Sequence, residues 1–517
     1  MNGPFSLAFS SRVLRRSAVL VALLFAIELF AILLLTEGQF TYSLDDPYIH
    51  LALAKQILAG HYGISEGVPS SPSSSILWPF LLVPWAKTPM VEYVPLAFNY
   101  LASVALGGVF YAYLEQLGGA RLRQREQDAF VLLALILVNA VPLAFMGLEH
   151  SVQLLSAALV AWGLTSFDRN APVSPWLVFA IAVGPLVRYE SFALVLASSV
   201  YFWSEGRRRL ALGVLGLSAA LPLAFSAFLL SLGLPPLPLS VLAKSLVPLD
   251  QGLAPALRAI LSQLEYAFLR SSRGPVFLLL SLGLLLGVKR AELPSDRRLG
   301  LAALLPIFLH GLFGQWGRYE LYVFCFELLI LGWLFRFSAP RALEKSGRAL
   351  GLFGLFVLLA GAPYVARLFQ TPFGARSIRA QQGSMARVAR SLDEPIAVND
   401  LGLVALYSRS FVLDLYGLGS HEALQARRQG RRGYLEDLVR KHGVRMVAIY
   451  PSWFPGQVPR SWLPVADLVD ERPWNSTGAT VVTFYATEPE AVPRLREALE
   501  EIHTRPSAGE SVRILVP

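Results

Sequence analysis

The chain has 517 residues, 54% of them hydrophobic and 16% charged, with a mean hydropathy of +0.51. A soluble protein is nearer a quarter charged, so this composition excludes an ordinary soluble domain and indicates a polytopic membrane protein. The net charge of +9 is not a nucleic-acid footprint, because the basic residues sit in short turns between apolar runs, as orientation in a bilayer requires.

Arg12, Arg15 and Arg16 precede an apolar stretch, Ser17–Leu35. About nineteen such residues is long for a signal peptide, and no A-x-A-like site follows, so the stretch reads as a first transmembrane helix starting in the cytoplasm. Ten further apolar runs follow, at Val94–Leu114, Ala129–Phe145, Val152–Leu164, Trp176–Val187, Phe192–Trp203, Leu210–Leu230, Val276–Val288, Leu299–Phe313, Leu321–Phe335 and Ala349–Val365. The expectation is about eleven spans, although a full crossing needs about twenty residues and several runs are shorter. Trp176–Val187 and Phe192–Trp203 read best as a shallow hairpin.

Alternate turns are basic: Arg121, Arg123 and Arg125; Arg207–Arg209; Lys289, Arg290, Arg297 and Arg298; Arg336, Arg341, Lys345 and Arg348. Positive residues favour the cytoplasm, so the intervening turns are outside, among them a first outer loop at 36–92. Cys325 is the single cysteine, which rules out an intramolecular disulfide.

From about Thr371 the character changes. "PIAVNDLGLVALYSRSFVLDLYG", "VRMVAIYP", "LPVADLVDE" and "TVVTFYAT" read as strands; "YLEDLVRKHG" and "VPRLREALEEIH" read as amphipathic helices. The chain therefore divides into a membrane part, 1–370, and an extracytoplasmic α/β domain, 371–517, of about 140 residues, enough for its own core. "NST" at Asn475–Thr477 fits a glycosylation pattern that a lone tripeptide also meets by chance. The serine-rich "SSPSSS" reads as a turn.

The first outer loop holds adjacent carboxylates, Asp45 and Asp46, followed by Pro47. Asp46 is expected to cap a helix running to about Leu58, with Ile49, Leu51, Leu53, Ile57 and Leu58 laid on the membrane interface. A cap explains one aspartate. Two adjacent carboxylates at a lipid surface are costly unless a cation, a metal or a reaction uses them. The other outer turns are short yet ionisable: Glu149 and His150 in "MGLEHS", Arg188 and Glu190 in "LVRYES", Lys244 in "LPPLPLSVLAKS", Arg318 and Glu320 in "WGRYELY". Ionisable groups so close to hydrocarbon usually face a bundle interior or a water-filled cavity. The alternative is local pairing of Arg188 with Glu190 and Arg318 with Glu320. No H-E-x-x-H, paired C-x-x-C or G-x-x-x-x-G-K-[ST] occurs. His50 reads as structural and "GLGS" at Gly417–Ser420 as too weak for a phosphate loop.

"DDPYIHLALAKQILAGHYG", "SSPSSSILWPFLL", "GLEHS", "VRYES", "LGLPPLPLSVLAKS", "RYELYV" and "IAVNDLG…VLDLYGLG", in that order, resemble the GT-C superfamily of membrane glycosyltransferases. The likeness is nearest to bacterial members related to arabinofuranosyltransferases and the lipid A aminoarabinose transferase. It implies a multi-pass protein of the bacterial inner membrane, with its N-terminus cytoplasmic and its C-terminal domain outside. It implies transfer of a sugar from a polyprenyl-phosphate donor to a glycan, lipid or protein acceptor, inverting, with no nucleic acid involved. Asp45 would be the catalytic base with Asp46 beside it, and Arg188, Lys244 and Arg318 would hold the donor phosphate. Glu149, His150, Glu190, Glu320 and Tyr48 would support them. Either no cofactor is required, or a divalent cation sits on Asp45 and Asp46. After "GLP" the sequence reads "PLPLS" where one common form of the family has a Pro-Asn-Thr type. A transporter or lipid flippase, or a non-catalytic envelope assembly protein, are the other readings of the composition.

Overall fold

In the computed structural model, residues 9–119, 122–244, 253–336, 347–472, 477–504, 506–507 and 509–515 are described. Arg121, Arg341 and Lys345 of the basic turns, and Asn475 and Ser476 of the "NST" tripeptide, lie outside these residues.

Three helices are long and apolar enough to cross a membrane among the described residues: Ser11–Leu35, Val91–Gln116 and Arg208–Ser231. A fourth span follows if Leu257–Arg270 and Gly274–Arg290, bent by 88° at their junction, cross together. The expectation of eleven is corrected to that number. Apolar length was counted correctly, but most of the other runs do not form helices of spanning length. Ala129–Phe145 is broken at Asn139, whose φ of 61° places it in the left-handed region. Leu299–Phe313 divides into Pro294–Ala302 and Leu304–Phe313. Pro175–Val187 and Phe192–Ser204 are separate helices of 13 residues around the Arg188 turn. At 1.5 Å per residue, such a helix covers about 20 Å of a hydrocarbon core about 30 Å thick.

These shorter helices pack into one apolar core instead. It joins Val21, Phe25 and Ile32 of the first helix to Leu106, Phe145, Leu154, Phe202, Leu280 and Phe324. At one end of the bundle the basic turns are closed by ion pairs: Arg16 with Asp128 at 2.6 Å, Arg298 with Glu205 at 2.6 Å, Arg336 with Asp296 at 2.7 Å.

The helix Gly347–Ala380 continues through residue 371 and leads to the C-terminal domain. There six strands, β1 (Ile396–Val398), β2 (Val412–Asp414), β3 (Met446–Ile449), β4 (Leu463–Asp470), β5 (Val481–Ala486) and β6 (Glu510–Ile514), form one mixed sheet in the order β2-β1-β3-β5-β4-β6. β2, β1 and β3 run parallel, and the remaining pairings are antiparallel. Side chains alternate across the strands. Ile396 and Val398 pack with the helices Gln382–Leu392 and Val492–Thr504, while Ala397 packs with Tyr434–Lys441. The sheet is thus covered on both faces.

The loop at 36–92 joins the two parts. Its helix, Asp46–Leu58, buries every residue from Pro47 to Ala54. The expected interfacial helix is therefore corrected: Leu51 and Leu53 are fully buried, and Ile49 and Ile64 enter the core of the sheet domain. Tyr48, Leu51 and Trp78 pack with Ile378, Leu403 and Leu406 in a second apolar cluster. Nor does Asp46 cap the helix. Asp45 is the capping position, and its side chain makes no cap bond.

The run Ser70–Ser75 is also more than a turn, for all five of its serines are buried. Ser71 Oγ accepts from Leu239 N–H at 3.0 Å, Ser74 Oγ meets Ser240 Oγ at 3.2 Å, and Ser75 Oγ donates to Leu186 C=O at 3.3 Å. Small hydroxyl side chains let this segment thread between other turns while satisfying their backbone groups.

Candidate active site

Five of the sequence-predicted residues line one narrow cleft, with about 20 Å³ of free space: Asp46, Glu149, Arg188, Lys244 and Arg318. They come from the start of the Asp46–Leu58 helix, from three separate turns and from the end of the short helix Leu239–Lys244. His50, Ser74 and Leu418 line it too, the last contributed by the sheet domain. His50 lies one helical turn after Asp46, so the two share a face.

The charges form a connected set. Arg318 pairs with Asp46 and donates to Tyr319 Oη at 3.0 Å. Arg188 donates to Glu149 at 2.6 Å and makes a two-pronged contact with Glu190, at 2.8 and 3.2 Å. His50 Nε2 lies 3.6 Å from Glu149. Tyr319 stands at the centre of the cations: Arg188 and Arg318 are each 4.9 Å from its ring centroid, and Lys244 Nζ is 5.9 Å away. Among the described residues Lys244 forms no ion pair. The cleft is lined by three cations and two carboxylates, and Glu190 of the adjoining groove is a third carboxylate paired with Arg188, so it is Lys244, without an ion pair among the described residues, that leaves the cleft able to take an anion.

Burial alone would raise the Asp46 carboxyl, but Arg318, Lys244 and His50 outweigh it and hold the group down at about 2. Burial lowers His50 despite the pull of Glu149 and Asp46, which keeps the imidazole neutral.

Asp45 faces elsewhere. Its carboxylate accepts from Gly402 N–H at 2.5 Å and Leu403 N–H at 2.9 Å, at the start of the short helix Gly402–Tyr407 in the sheet domain. Burial and the neighbouring Asp400 raise it well above the usual carboxylate range, against the two amides. Asp400 is raised as well, by burial, and is held by the Gln382 amide at 2.8 Å and the Tyr450 hydroxyl at 3.0 Å. Asp45 and Asp400 are close enough that each carboxylate disfavours the charge on its neighbour. Gly402 is required there, since a Cβ would overlap the Asp45 carbonyl and carboxylate.

The remaining predicted residues are not in the cleft. Tyr48 is buried in the seam, where its hydroxyl accepts from Tyr42 N–H at 3.0 Å. His150 is buried behind the cleft, edge-on to Tyr319 at 5.4 Å. Glu320 does not pair with Arg318. It is fully buried and accepts from Gly317 N–H at 2.7 Å and Tyr364 Oη at 3.2 Å. Glu190 lines an adjoining groove of about 450 Å³ that shares Ser74, Arg188 and Lys244 with the cleft. The groove is largely apolar, with Phe192, Leu196, Leu237, Val241, Leu309 and Leu312, and has Gln263 and Gln315 among its polar lining.

The two aspartates do not fit a shared metal. Asp45 is spent on backbone amides and Asp46 on Arg318. Among the described residues, no three His, Cys, Asp or Glu side chains are grouped to hold a metal ion. "GLGS" is likewise structural: Asp414 accepts from Tyr416 N–H and Gly419 N–H, each at 2.7 Å, and Ser420 caps the helix His421–Arg428.

Residues 376–485 match the family model described as Domain of unknown function (DUF8728). No curated protein matches the chain. Among solved structures, the chain is similar to the archaeal oligosaccharyltransferase AglB from Archaeoglobus fulgidus, solved in complex with an inhibitory peptide and a dolichol-phosphate. The match has 12% identity and a TM-score of 0.45, and covers 92% of this chain and 75% of that one. So distant a likeness carries neither fold nor activity.

Proposed function

We propose that this chain is an integral membrane glycosyltransferase that moves a sugar from a polyprenyl-phosphate donor to an envelope acceptor hydroxyl on the extracytoplasmic side. The observation that carries the reading is the continuity of two surfaces. A cleft lined by Arg188, Lys244 and Arg318 and holding a carboxylate opens directly onto a largely apolar groove, with Arg188 and Lys244 at their junction. A phosphate esterified to a long hydrocarbon has that same division of polarity.

The apolar groove takes the first isoprene units, and Lys244, Arg188 and Arg318 take the phosphate. The acceptor oxygen attacks the anomeric carbon as the bond from that carbon to the phosphate oxygen breaks. The acceptor proton passes to a carboxylate, and the polyprenyl phosphate leaves with the charge that the cations stabilise. A single displacement inverts the anomeric centre. We assign the base to Asp46 in place of Asp45, because Asp46 is the carboxylate exposed to the cleft.

Held at about 2, Asp46 is a poor base while Arg318 pairs with it. A donor phosphate competes for the same guanidinium and would raise the proton affinity of Asp46 on arrival. The base is thereby switched on by its substrate. Tyr319, between the three cations, keeps them apart at fixed distances. Asp45 acts at one remove, by fastening the sheet domain whose Leu418 closes the cleft.

The test is transfer of a radiolabelled sugar from a polyprenyl-phosphate donor by the full chain in nanodiscs. Asp46→Asn should lower transfer by about 10²–10⁴-fold with the protein still folded. Normal turnover by that variant would remove Asp46 as base.

A further inference from the structure

A second cavity, of about 530 Å³, opens on another side of Arg318. It is lined by Arg273, Arg318 and Arg367, with Trp316, Gln370 and Thr371. The carboxylate nearest to Arg273 is Glu320, 3.7 Å from its Nε, and Glu320 is fully buried with its oxygens engaged by Gly317 and Tyr364. Arg273 Nε and Arg318 Nε are buried without a hydrogen-bond partner among the described residues. Burial, with Arg273 and Arg318 nearby, disfavours the charge on Arg367, which Glu320 only partly offsets.

Three guanidinium groups around one cavity repel one another, and buried N–H groups left without acceptors are costly. Both costs disappear when an oxyanion enters, because a guanidinium donates two parallel N–H groups to phosphate or carboxylate. The cavity lacks the continuous apolar wall of the groove beside Lys244, so it suits the anion but not the hydrocarbon of a lipid-linked donor. Ser43 and Leu44 of its lining immediately precede the aspartate pair.

We propose that this arginine-lined cavity is a second anion site, which holds a phosphate or carboxylate carried by the acceptor and so presents an acceptor hydroxyl to Asp46. The acceptor is then an anionic envelope molecule. The assignment to the acceptor rests on the glycosyltransferase reading; the anion site itself does not.

Inorganic phosphate is the probe. The full chain is placed in phosphatidylcholine nanodiscs containing undecaprenyl phosphate, which occupies the groove, and is titrated calorimetrically. Phosphate should still bind. Arg367→Gln should weaken it about tenfold or more, the effect of losing one charge-assisted contact. Arg273→Lys, which keeps the charge and loses the fork, should weaken it by a smaller factor and serves if Arg367→Gln does not fold. In the transfer assay, phosphate should raise the acceptor KM and leave the donor KM unchanged. Unaltered phosphate binding in both variants would overturn the site, as would complete displacement of phosphate by undecaprenyl phosphate. Competition against the donor instead of the acceptor would overturn the acceptor assignment. Wild-type protein that binds phosphate through Arg367 yet transfers no sugar would overturn the enzymatic reading and leave the anion site standing.

Discussion

Asp45 and Asp46 are consecutive, but they face two regions that treat charge in opposite ways. In the cleft, carboxylates meet Arg188, Lys244 and Arg318, and an incoming anion can exchange partners with them. In the seam between the first loop and the sheet domain, Asp45 and Asp400 meet backbone amides, the Gln382 amide and the Tyr450 hydroxyl, with no cation paired to either among the described residues. Charge is mobile in the first region and suppressed in the second. The cause is elementary: at the start of a helix, successive residues point about 100° apart. Adjacent carboxylates there are divided between two surfaces, one for chemistry and one for docking.

The division is sharpest in the base. Asp46→Asn should lower transfer by about 10²–10⁴-fold, the usual worth of a general base, with docking of the sheet domain unchanged. A transfer assay on purified, folded protein measures it. If Asp45→Asn causes the greater loss with docking intact, the assignment of the two regions is reversed.

Next in size is Arg188, which touches only the cleft and its groove. Arg188→Lys keeps the charge but loses the two-pronged contact to Glu190 and the bond to Glu149. Donor kcat/KM should fall by about 10–100-fold, in line with one or two charge-assisted hydrogen bonds. A defect confined to the acceptor KM would contradict a phosphate role.

The seam responds differently. Asp45→Ala leaves the Gly402 and Leu403 amides unsatisfied in a buried place, which costs about 1–3 kcal/mol of docking. Gly402→Ala should act in the same direction by overlap with Asp45. The readout is proteolysis near the exposed Asp393, which tracks the population of the opened state. Cleavage about tenfold faster is expected in Asp45→Ala, with Asp46→Asn at the wild-type rate.

How much of this was legible in the sequence follows from what each signal measures. Ionisable residues in short apolar turns are conspicuous, so Glu149, Arg188, Lys244 and Arg318 could be singled out one turn at a time. Short β-branched runs pointed to the strands from Ile396 to Ala486, whereas β6 lay in a charged, unremarkable stretch. Hydropathy counts apolar residues but cannot see the break at Asn139, or that a helix of 13 residues is buried among its neighbours instead of crossing alone. The choice between Asp45 and Asp46 depended on the phase of a helix relative to a distant domain. Tyr319 and Leu418 were hidden for the same reason: each is an ordinary residue until the fold places three cations around one and the cleft beneath the other. Arg273 and Arg367 lay amid apolar segments with no local partner to mark them as a pair.

The smallest effect expected is on pH, and it separates the regions by sign. Asp46 is held at about 2, below the ordinary carboxylate value of about 3.9, so its pairing with Arg318 is fully present above that value and is lost only as pH falls toward 2. Asp45 is shifted the other way. The docked state keeps a proton that an undocked chain would release, so its contribution is complete below about 3.9 and is lost as pH rises through the raised value. As pH rises from about 3.9 toward that raised value, the cleft pair should therefore stay constant while the seam loosens, and protease cleavage near Asp393 should accelerate. Asp45→Asn cannot ionise yet still offers an oxygen to the two amides, so it should flatten that pH response. Asp46→Asn should leave the response intact. A wild-type seam indifferent to pH over this range would mean that Asp45 neither gains nor loses a proton on docking.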